Sequence, residues 1–303
     1  MITIGIVLLN WNGKENTLSC LSSLRKLSTK GFSVKIVVVD NGSTDDSVKI
    51  ISEKFSEAHI IENHNNLGFA KGCNVGTLFA LKNDADFVVL LNNDTIVHSH
   101  LLVELFGTYD AYKNVGAVSP KIYFEKGFEF HKNRYDKKDF GKVLWYAGGI
   151  MDWKNVIGRH RGVDEVDKGQ FDVQEETDFA SGCCMMLPRK VLQTVGLFDE
   201  KYFLYYEDSD LSMRIKKNGY KILYCPKAVL WHKNAGSSGS GSDLQDYYIT
   251  RNRLVFGFRF APLRTKFSLF RESIRLWLQG RIWQRYGVRD FYLRKFYKGS
   301  YNK

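Results

Sequence analysis

An α/β fold, with a mostly parallel central sheet flanked by helices and a basic helical tail, is predicted by three features of the chain. Over residues 1–95, four apolar, β-branched runs alternate with three segments of helical periodicity. Strand, helix, strand repeats of that kind build a parallel sheet through right-handed crossovers. The runs end in asparagine or aspartate, which marks their common carboxyl edge as the place for a ligand. The formal net charge of +11 is also segregated: residues 256–303 hold twelve Lys or Arg against Glu272 and Asp290. Two parts are therefore expected, a near-neutral body of residues 1–255 and a basic, aromatic, helical tail of residues 256–303.

Residues 2–9 are the first apolar run, broken by Asn10-Trp11-Asn12-Gly13. Residues 14–27 carry Leu18, Leu21, Leu24 and Leu27 as a helical stripe. Residues 34–39 are the second strand, ending at Asp40-Asn41-Gly42-Ser43-Thr44-Asp45. A helix capped by Ser43 or Thr44, with Asp45 and Asp46 in its first turn, is expected next. Residues 58–61 are a short third strand, and Asn65-Asn66-Leu67-Gly68 turns into a helix over 69–81. The fourth strand, 87–91, is apolar throughout, as a strand buried on both faces must be, and stops at Asn92-Asn93-Asp94. A carboxylate at that point can hold a divalent cation, and the cation a diphosphate.

The second half is less regular. Residues 109–118 close a helix and enter a strand, and 121–162, aromatic, basic and glycine-containing, suggest loops or a small side sheet. Residues 181–187 are a buried strand beginning near Gly182, and Pro188 opens a short helix that ends near Gly196. Glu207-Asp208-Ser209-Asp210 then opens a helix stopped by Gly219. The helix dipole accounts for any one of these carboxylates, but three within four residues exceed what capping needs. Residues 220–225 are a further strand, His232 follows, and a small-residue loop occupies 236–242. In Arg251-Asn252-Arg253, Arg251 suits either a carboxylate of the fold or a phosphate.

Composition excludes several classes. A hydrophobic content of 44% supports a full core. Cys20, Cys73, Cys183, Cys184 and Cys225 are odd in number and form no C-x-x-C pair, which points to buried free thiols rather than zinc. No window approaches the roughly 18 apolar residues of a membrane span. The N-terminus lacks a basic region and a cleavage site, so a protein neither secreted nor transmembrane is expected. No G-x-G-x-x-G follows the first strand and no G-x-x-x-x-G-K-[ST] occurs, which disfavours dinucleotide dehydrogenases and P-loop enzymes.

Four segments carry a family resemblance: residues 8–13 with Asp40-Asn41-Gly42-Ser43-Thr44-Asp45; Asn65-x-x-Gly68-x-Ala70-x-Gly72-x-Asn74; Asn92-Asn93-Asp94; and residues 203–214 with His232. In that order over residues 1–255, the chain resembles the family 2 glycosyltransferases of GT-A fold, especially the rhamnosyltransferase-like branch. The resemblance implies inverting transfer of a sugar, rhamnose among the candidates, from a nucleoside diphosphate donor. The acceptor would be a saccharide or lipid-linked, in cell-surface polysaccharide synthesis. The implied nucleotide-sugar site is Leu9, Asn10, Asp40, Asn66, Lys71, Asn92, Asn93 and Asp94, with Asp40 and Lys71 toward the base. Asn92-Asn93-Asp94 stands at the D-x-D position with Asn for the first Asp. That leaves Asp94, with His232, as ligands to Mg²⁺ or Mn²⁺. Gly182 and Glu207 fall on the acceptor side, and Asp208 matches the general base, with Asp210 and Glu207 as competitors.

Two other classes compete. A sugar-phosphate nucleotidyltransferase carries a glycine- and basic-rich loop after its first strand, which residues 10–14 are not. A non-catalytic nucleotide-sugar binding protein would need Asp40 but not Asp208. The near-neutral body contains no nucleic-acid module, so nucleic acid is not an expected partner, whereas an oligomer is compatible with the sequence. In the tail, Leu263, Phe267, Phe270, Ile274 and Trp277 share one helical face, flanked by Arg264, Arg271 and Arg275, with Lys266 on the other side. That pattern suits an anionic membrane surface; packing of the stripe on the body or on another subunit is the alternative. A cytoplasmic protein held peripherally on the inner face of a membrane is expected.

Overall fold

The computed structural model describes residues 1–233 and 241–301. Most of the small-residue loop expected at 236–242 lies outside the described residues. The first half follows the predicted alternation: β1 (Ile2–Asn10), α1 (Lys14–Leu24), β2 (Phe32–Asp40), α2 (Ser47–Lys54), β3 (Ala58–Glu62), α3 (Gly68–Lys82) and β4 (Phe87–Asn92). These strands pair in parallel in the order β3-β2-β1-β4. Side chains alternate between two cores, which is why the runs carry apolar residues on both faces. Ile4, Ile6, Leu8, Val38 and Val89 fill one layer; Val7, Val37, Val39, Val88 and Leu90 fill the other. Full burial of each such side chain contributes roughly 1.5–3 kcal/mol. On the second layer α3 lies close to the sheet, and a Cβ at Gly76 would sit 2.4 Å from Val7.

The rest of the chain comprises β5 (Thr95–Val97), α4 (Leu101–Ala111), β6 (Val115–Phe124), β7 (Leu144–Tyr146), β8 (Gly149–Asp152), β9 (Ile157–His160), β10 (Glu175–Glu176), β11 (Cys184–Pro188), α5 (Arg189–Val195), α6 (Glu207–Lys217) and β12 (Lys221–His232). The sheet continues from β4 through β11, β6 and β12 to β10, while β8 and β9 form a separate hairpin. It is mixed rather than parallel throughout, because β11 runs antiparallel to both β4 and β6. The amino end of β11 therefore reaches the edge where β4 ends, and the Asn92 N–H donates to the Cys183 carbonyl at 2.8 Å.

Two local expectations are corrected. α2 begins at Ser47 without a side-chain cap; Ser43 instead bonds Asp40, and Asp45 bonds Ser47. β12 continues past Cys225 to His232 by absorbing Pro226 in an irregularity between Cys225 and Val229. The five cysteines are free and buried, as expected.

The tail is helical: α7 (Asp243–Phe260), α8 (Leu263–Gln279) and α9 (Ile282–Tyr292). α7 crosses position 255, so body and tail share a helix. The inner faces of α8 and α9 pack, burying Leu269, Ser273, Val288 and Asp290. The stripe of α8 faces outward: Leu263 is 84% exposed, Phe267 65%, and Phe270, Ile274 and Trp277 are 44–46% exposed. Among the described residues no helix is long and apolar enough to cross a membrane.

Candidate active site

Strand register sets Asn10 beside Asp40 and Leu9 beside Asn92, so the predicted residues at the ends of β1, β2 and β4 meet on one edge. Asp40 is buried with both oxygens in use. Oδ1 accepts from Asn10 Nδ2 at 2.8 Å and Ser43 Oγ at 2.6 Å; Oδ2 accepts from the N–H groups of Ser43 at 2.9 Å and Gly42 at 3.2 Å. The carboxylate thus shapes the turn after β2. Asn10 Oδ1 accepts from Thr17 at 2.7 Å, and Asn93 Nδ2 donates to Thr17 at 2.8 Å, which ties β1, α1 and the end of β4 together. Asn41 organises the next turn, donating to Asn66 Oδ1 and the Gly68 carbonyl, both at 3.1 Å. Thr17 and Asn41 escaped the sequence reading. Asn41 adjoins Asp40, which was a usable signal, whereas Thr17 is one hydroxyl among many in its helix. Lys71 lies apart from this network, with its ammonium 3.5 Å from Glu200 and 5.7 Å from the Tyr297 ring.

Asp94 follows β4, and its Oδ1 lies 3.0 Å from Nε2 of buried His232. Backbone pairing explains the approach, since His232 stands opposite Thr95 in the β12–β5 ladder. Among the described residues no three His, Cys, Asp or Glu converge as a complete metal cage. One carboxylate oxygen and one imidazole nitrogen fit a divalent ion that completes its shell with phosphate oxygens and water. Glu125, not singled out from sequence, borders this pair. Its Oε2 is buried without a partner, and burial, opposed by Lys233 and reinforced by Asp94, pushes its carboxyl up.

Asp208 sits in the first turn of α6, where Oδ2 accepts from the Gly182 N–H at 3.0 Å and Oδ1 from the Ser209 N–H at 2.6 Å. Gly182 and Cys183 thus connect the predicted base to the Asn92 turn through two adjacent residues. Burial pushes the Asp208 carboxyl up, and the Gly182 and Ser209 hydrogen bonds pull against that rise. Glu207 is buried too, with Oε2 unpartnered; burial and then the charge of Asp208 push its carboxyl well above the usual range. Of the pair, Asp208 therefore ionises first as pH rises. Asp210 is fully buried and held by Arg214 at 2.6 Å, Arg259 at 2.7 Å and Tyr202 at 3.0 Å, which is a structural assignment.

The approach to α6 is strained. Phe203, Tyr205 and Tyr206 have φ of 62°, 68° and 70°, in the left-handed region, at a cost of roughly 1–3 kcal/mol each. Gly68 (φ +77°) fits beneath this turn, where a Cβ would lie 2.4 Å from the Phe203 ring, and the Ala70 N–H donates to the Phe203 carbonyl at 3.2 Å. The start of α3 and the approach to α6 are thereby in contact.

Asp208 opens onto a cleft of about 410 Å³ with Tyr206, Phe179, Ile249, Arg253 and Leu276 among its walls. Apolar and aromatic surface with a few polar groups suits an organic ligand. Leu276 belongs to α8, so the tail supplies one wall. Trp145 packs between His232 and His160, its ring 4.6 Å and 4.3 Å from theirs, and so links the Asp94 side to the cleft. Burial, opposed by the Trp145 carbonyl, pushes His160 down to about 4, which leaves it neutral near pH 7. Neither Trp145 nor His160 stood out in the sequence, since both come from the irregular middle.

Comparison with known proteins bears on the fold and the family. Over 214 residues, 68% of each chain, the sequence is 26% identical to N-acetylglucosaminyl-diphospho-decaprenol L-rhamnosyltransferase of Mycobacterium tuberculosis. Over 254 residues, 83% of this chain and 74% of the relative, it is 22% identical to the low-salt glycan biosynthesis hexosyltransferase Agl10 of Haloferax volcanii. The fold superimposes on the crystal structure of GalNAc-T7 with UDP, GalNAc and Mn²⁺ with a TM-score of 0.61 at 15% identity. That alignment covers 93% of this chain and 56% of the other, and the likeness concerns the fold alone. Residues 3–257 match the family described as "Glycosyltransferase like family 2", and the chain belongs to that family.

Proposed function

We propose that the protein is an inverting glycosyltransferase that moves a sugar, of the rhamnose class by its relatives' names, from a nucleoside diphosphate to a saccharide or lipid-linked acceptor. The observation that carries this reading is Asp208. It is the carboxylate of its cluster that opens on the cleft, is free of cationic partners, and is linked through Gly182-Cys183 to the Asn92-Asn93-Asp94 turn. Asp208 takes the proton of the acceptor hydroxyl as that oxygen attacks the anomeric carbon. The turns organised by Asp40, Asn10, Asn41 and Asn66, with Leu9 on the neighbouring strand, hold the nucleoside; Lys71, which pairs with Glu200, would have to leave that partner to reach the base. Asp94 and His232, at the end of the Asn92-Asn93-Asp94 turn, would hold a divalent cation, Mg²⁺ or Mn²⁺. When bound, that ion neutralises charge developing on the leaving diphosphate. Gly182 and buried Glu207 belong to the acceptor side as the residues that flank Asp208 there.

The outer face of α8 fits an anionic lipid surface. Exposed Leu263, Phe267, Phe270, Ile274 and Trp277 lie beside exposed Arg264, Arg271 and Arg275, which pairs apolar insertion with charge complementarity. Peripheral attachment on the cytoplasmic side would bring a lipid-linked acceptor to the cleft that α8 walls.

The decisive experiment is a panel of UDP-, dTDP- and GDP-sugars scored for thermal stabilisation and for hydrolysis. One base class should stabilise the protein and one sugar should be released; a panel without any response would overturn the assignment.

A further inference from the structure

The turn that delivers Asp208 to Gly182 is held by no strand ladder and contains no glycine, although Phe203, Tyr205 and Tyr206 are left-handed. Beside the Ala70 N–H on the Phe203 carbonyl, its side-chain supports come from α7. Arg251 and Asn252 are both fully buried. Arg251 Nη2 donates to the carbonyls of Lys201 and Tyr202 at 3.1 Å each, and Nη1 donates to the Tyr297 carbonyl at 2.7 Å. Asn252 Nδ2 donates to the carbonyls of Tyr202 at 2.8 Å, Leu204 at 2.7 Å and Tyr205 at 2.9 Å. Arg251 Nε donates to Asn252 Oδ1 at 2.9 Å, which fixes the amide so that its NH₂ faces the turn. The tail closes the arrangement, since the Tyr297 N–H donates to the Lys201 carbonyl at 2.9 Å.

Packing alone does not call for these residues. Leu254 and Phe256 on the same helix fill the core with apolar side chains. A buried guanidinium loses its water and needs compensating acceptors, and here backbone carbonyls of the 201–205 segment and the tail supply them. We propose that Arg251 and Asn252 are positioning residues for the transfer reaction: they hold the 203–206 turn left-handed and so keep Asp208 on its Gly182 and Ser209 donors at the cleft. This rests on Asp208 being the base. It answers what Arg251 does: it binds carbonyls that set the base, rather than a carboxylate or a phosphate.

The test compares Asn252→Ala with Val288→Ala, a buried substitution on α9. Each variant is measured for affinity toward UDP, dTDP and GDP, for turnover of the donor found by the panel, and for hydrogen exchange at the Gly182 amide. Asn252→Ala should keep nucleotide affinity, lose turnover by about a hundredfold, the scale of an ångström misplacement, and exchange the Gly182 amide faster. Val288→Ala should lose thermal stability yet match the wild type in turnover and Gly182 exchange at equal folded fraction. Should Asn252→Ala not fold, Arg251→Lys keeps the charge, loses the fork that reaches three carbonyls, and carries the same readouts. Wild-type turnover and unchanged Gly182 exchange in the position-251 or position-252 variant overturn the inference, as does an equal loss of turnover in Val288→Ala. If the wild type turns over no sugar nucleotide, the glycosyltransfer reading fails by itself, and Gly182 exchange still decides whether the clamp holds the turn.

Discussion

Asp208→Asn is the sharpest perturbation of the proposed chemistry, because it keeps the side chain's size and removes its capacity to accept a proton. Loss of a general base lowers turnover by about 10²–10⁴-fold, or roughly 3–5 kcal/mol of barrier. A second effect follows from the geometry. Both carboxylate oxygens accept backbone N–H bonds, from Gly182 at 3.0 Å and Ser209 at 2.6 Å. The amide must turn its NH₂ toward one of those donors, leaving a buried group unsatisfied at about 1–3 kcal/mol. Relief of the buried charge offsets part of that loss, so the variant should fold. Steady-state turnover with the identified donor, calorimetric affinity for its nucleoside diphosphate, and a pH profile together check the reasoning. Turnover should collapse while nucleotide affinity stays within about twofold, since Asp208 faces the acceptor cleft. The wild-type profile should rise with pH on an acid limb above the ordinary aspartate range of about 3.9, because burial raises this carboxyl. A variant within fivefold of the wild type, or one that loses affinity and turnover equally, would refute Asp208 as base and return Glu207 to consideration.

Asp94→Asn and His232→Ala should each weaken Mn²⁺ binding in the presence of nucleoside diphosphate by about tenfold or more, read by electron paramagnetic resonance; full activity in EDTA would remove the cation from the mechanism. Asp40→Ala should lower nucleoside diphosphate affinity by roughly 1–3 kcal/mol and also the melting temperature, because the donors that Asp40 satisfies lose their acceptor; unchanged calorimetry would refute its place in the site. Glu207 has a folded-state pKa raised above its unfolded value, so its contribution to stability is present below about pH 4.3 and lost as pH rises through the folded value. Glu207→Gln should therefore gain stability relative to wild type with rising pH, and a pH-independent difference in melting temperature would contradict a buried, protonated Glu207. Phe267→Ser with Trp277→Ser should reduce sedimentation with anionic liposomes by tenfold or more, on about 1.5–3 kcal/mol per large apolar side chain; equal binding, or a change in oligomeric state instead, would assign the stripe to another partner.

Much of this was legible in the sequence where one force dominated locally. The strands β1, β2 and β4 carry apolar residues on both faces because both faces are buried along most of their length, and their polar ends fell on one edge because parallel strands share a direction. What escaped depended on partners distant in the chain. Ser43 is a good cap by type, but Asp40, three residues earlier, competes for it. The reversed course of β11 leaves no mark in its composition, yet it carries Gly182 to Asp208. The left-handed turn at Phe203, Tyr205 and Tyr206 lacks the glycine that normally announces such a turn, because α7 holds it from some fifty residues downstream. Trp145 and His160 come from a segment without periodicity, and only tertiary packing brings them beside His232.

The tail shows why sequence position is a poor guide to division of labour. Its inner face is structural: Asp290 accepts from Tyr247 at 2.5 Å and from the Ser300 N–H at 2.8 Å, and Tyr301 is buried beside Tyr247. Its outer face contributes little to that packing, and Leu263 and Phe267 stay mostly exposed. A soluble helix with this inner face would be served as well by polar residues outside. On the proposal of membrane attachment, the apolar outer stripe serves that contact rather than folding, and the flanking arginines suit a negatively charged surface. Cutting the chain at residue 256 would not isolate that contact, because it would also remove Tyr297 from Arg251 and release the turn before Asp208. Point substitutions on the outer face alone can separate attachment from catalysis: they should abolish liposome binding while leaving turnover of a water-soluble acceptor intact.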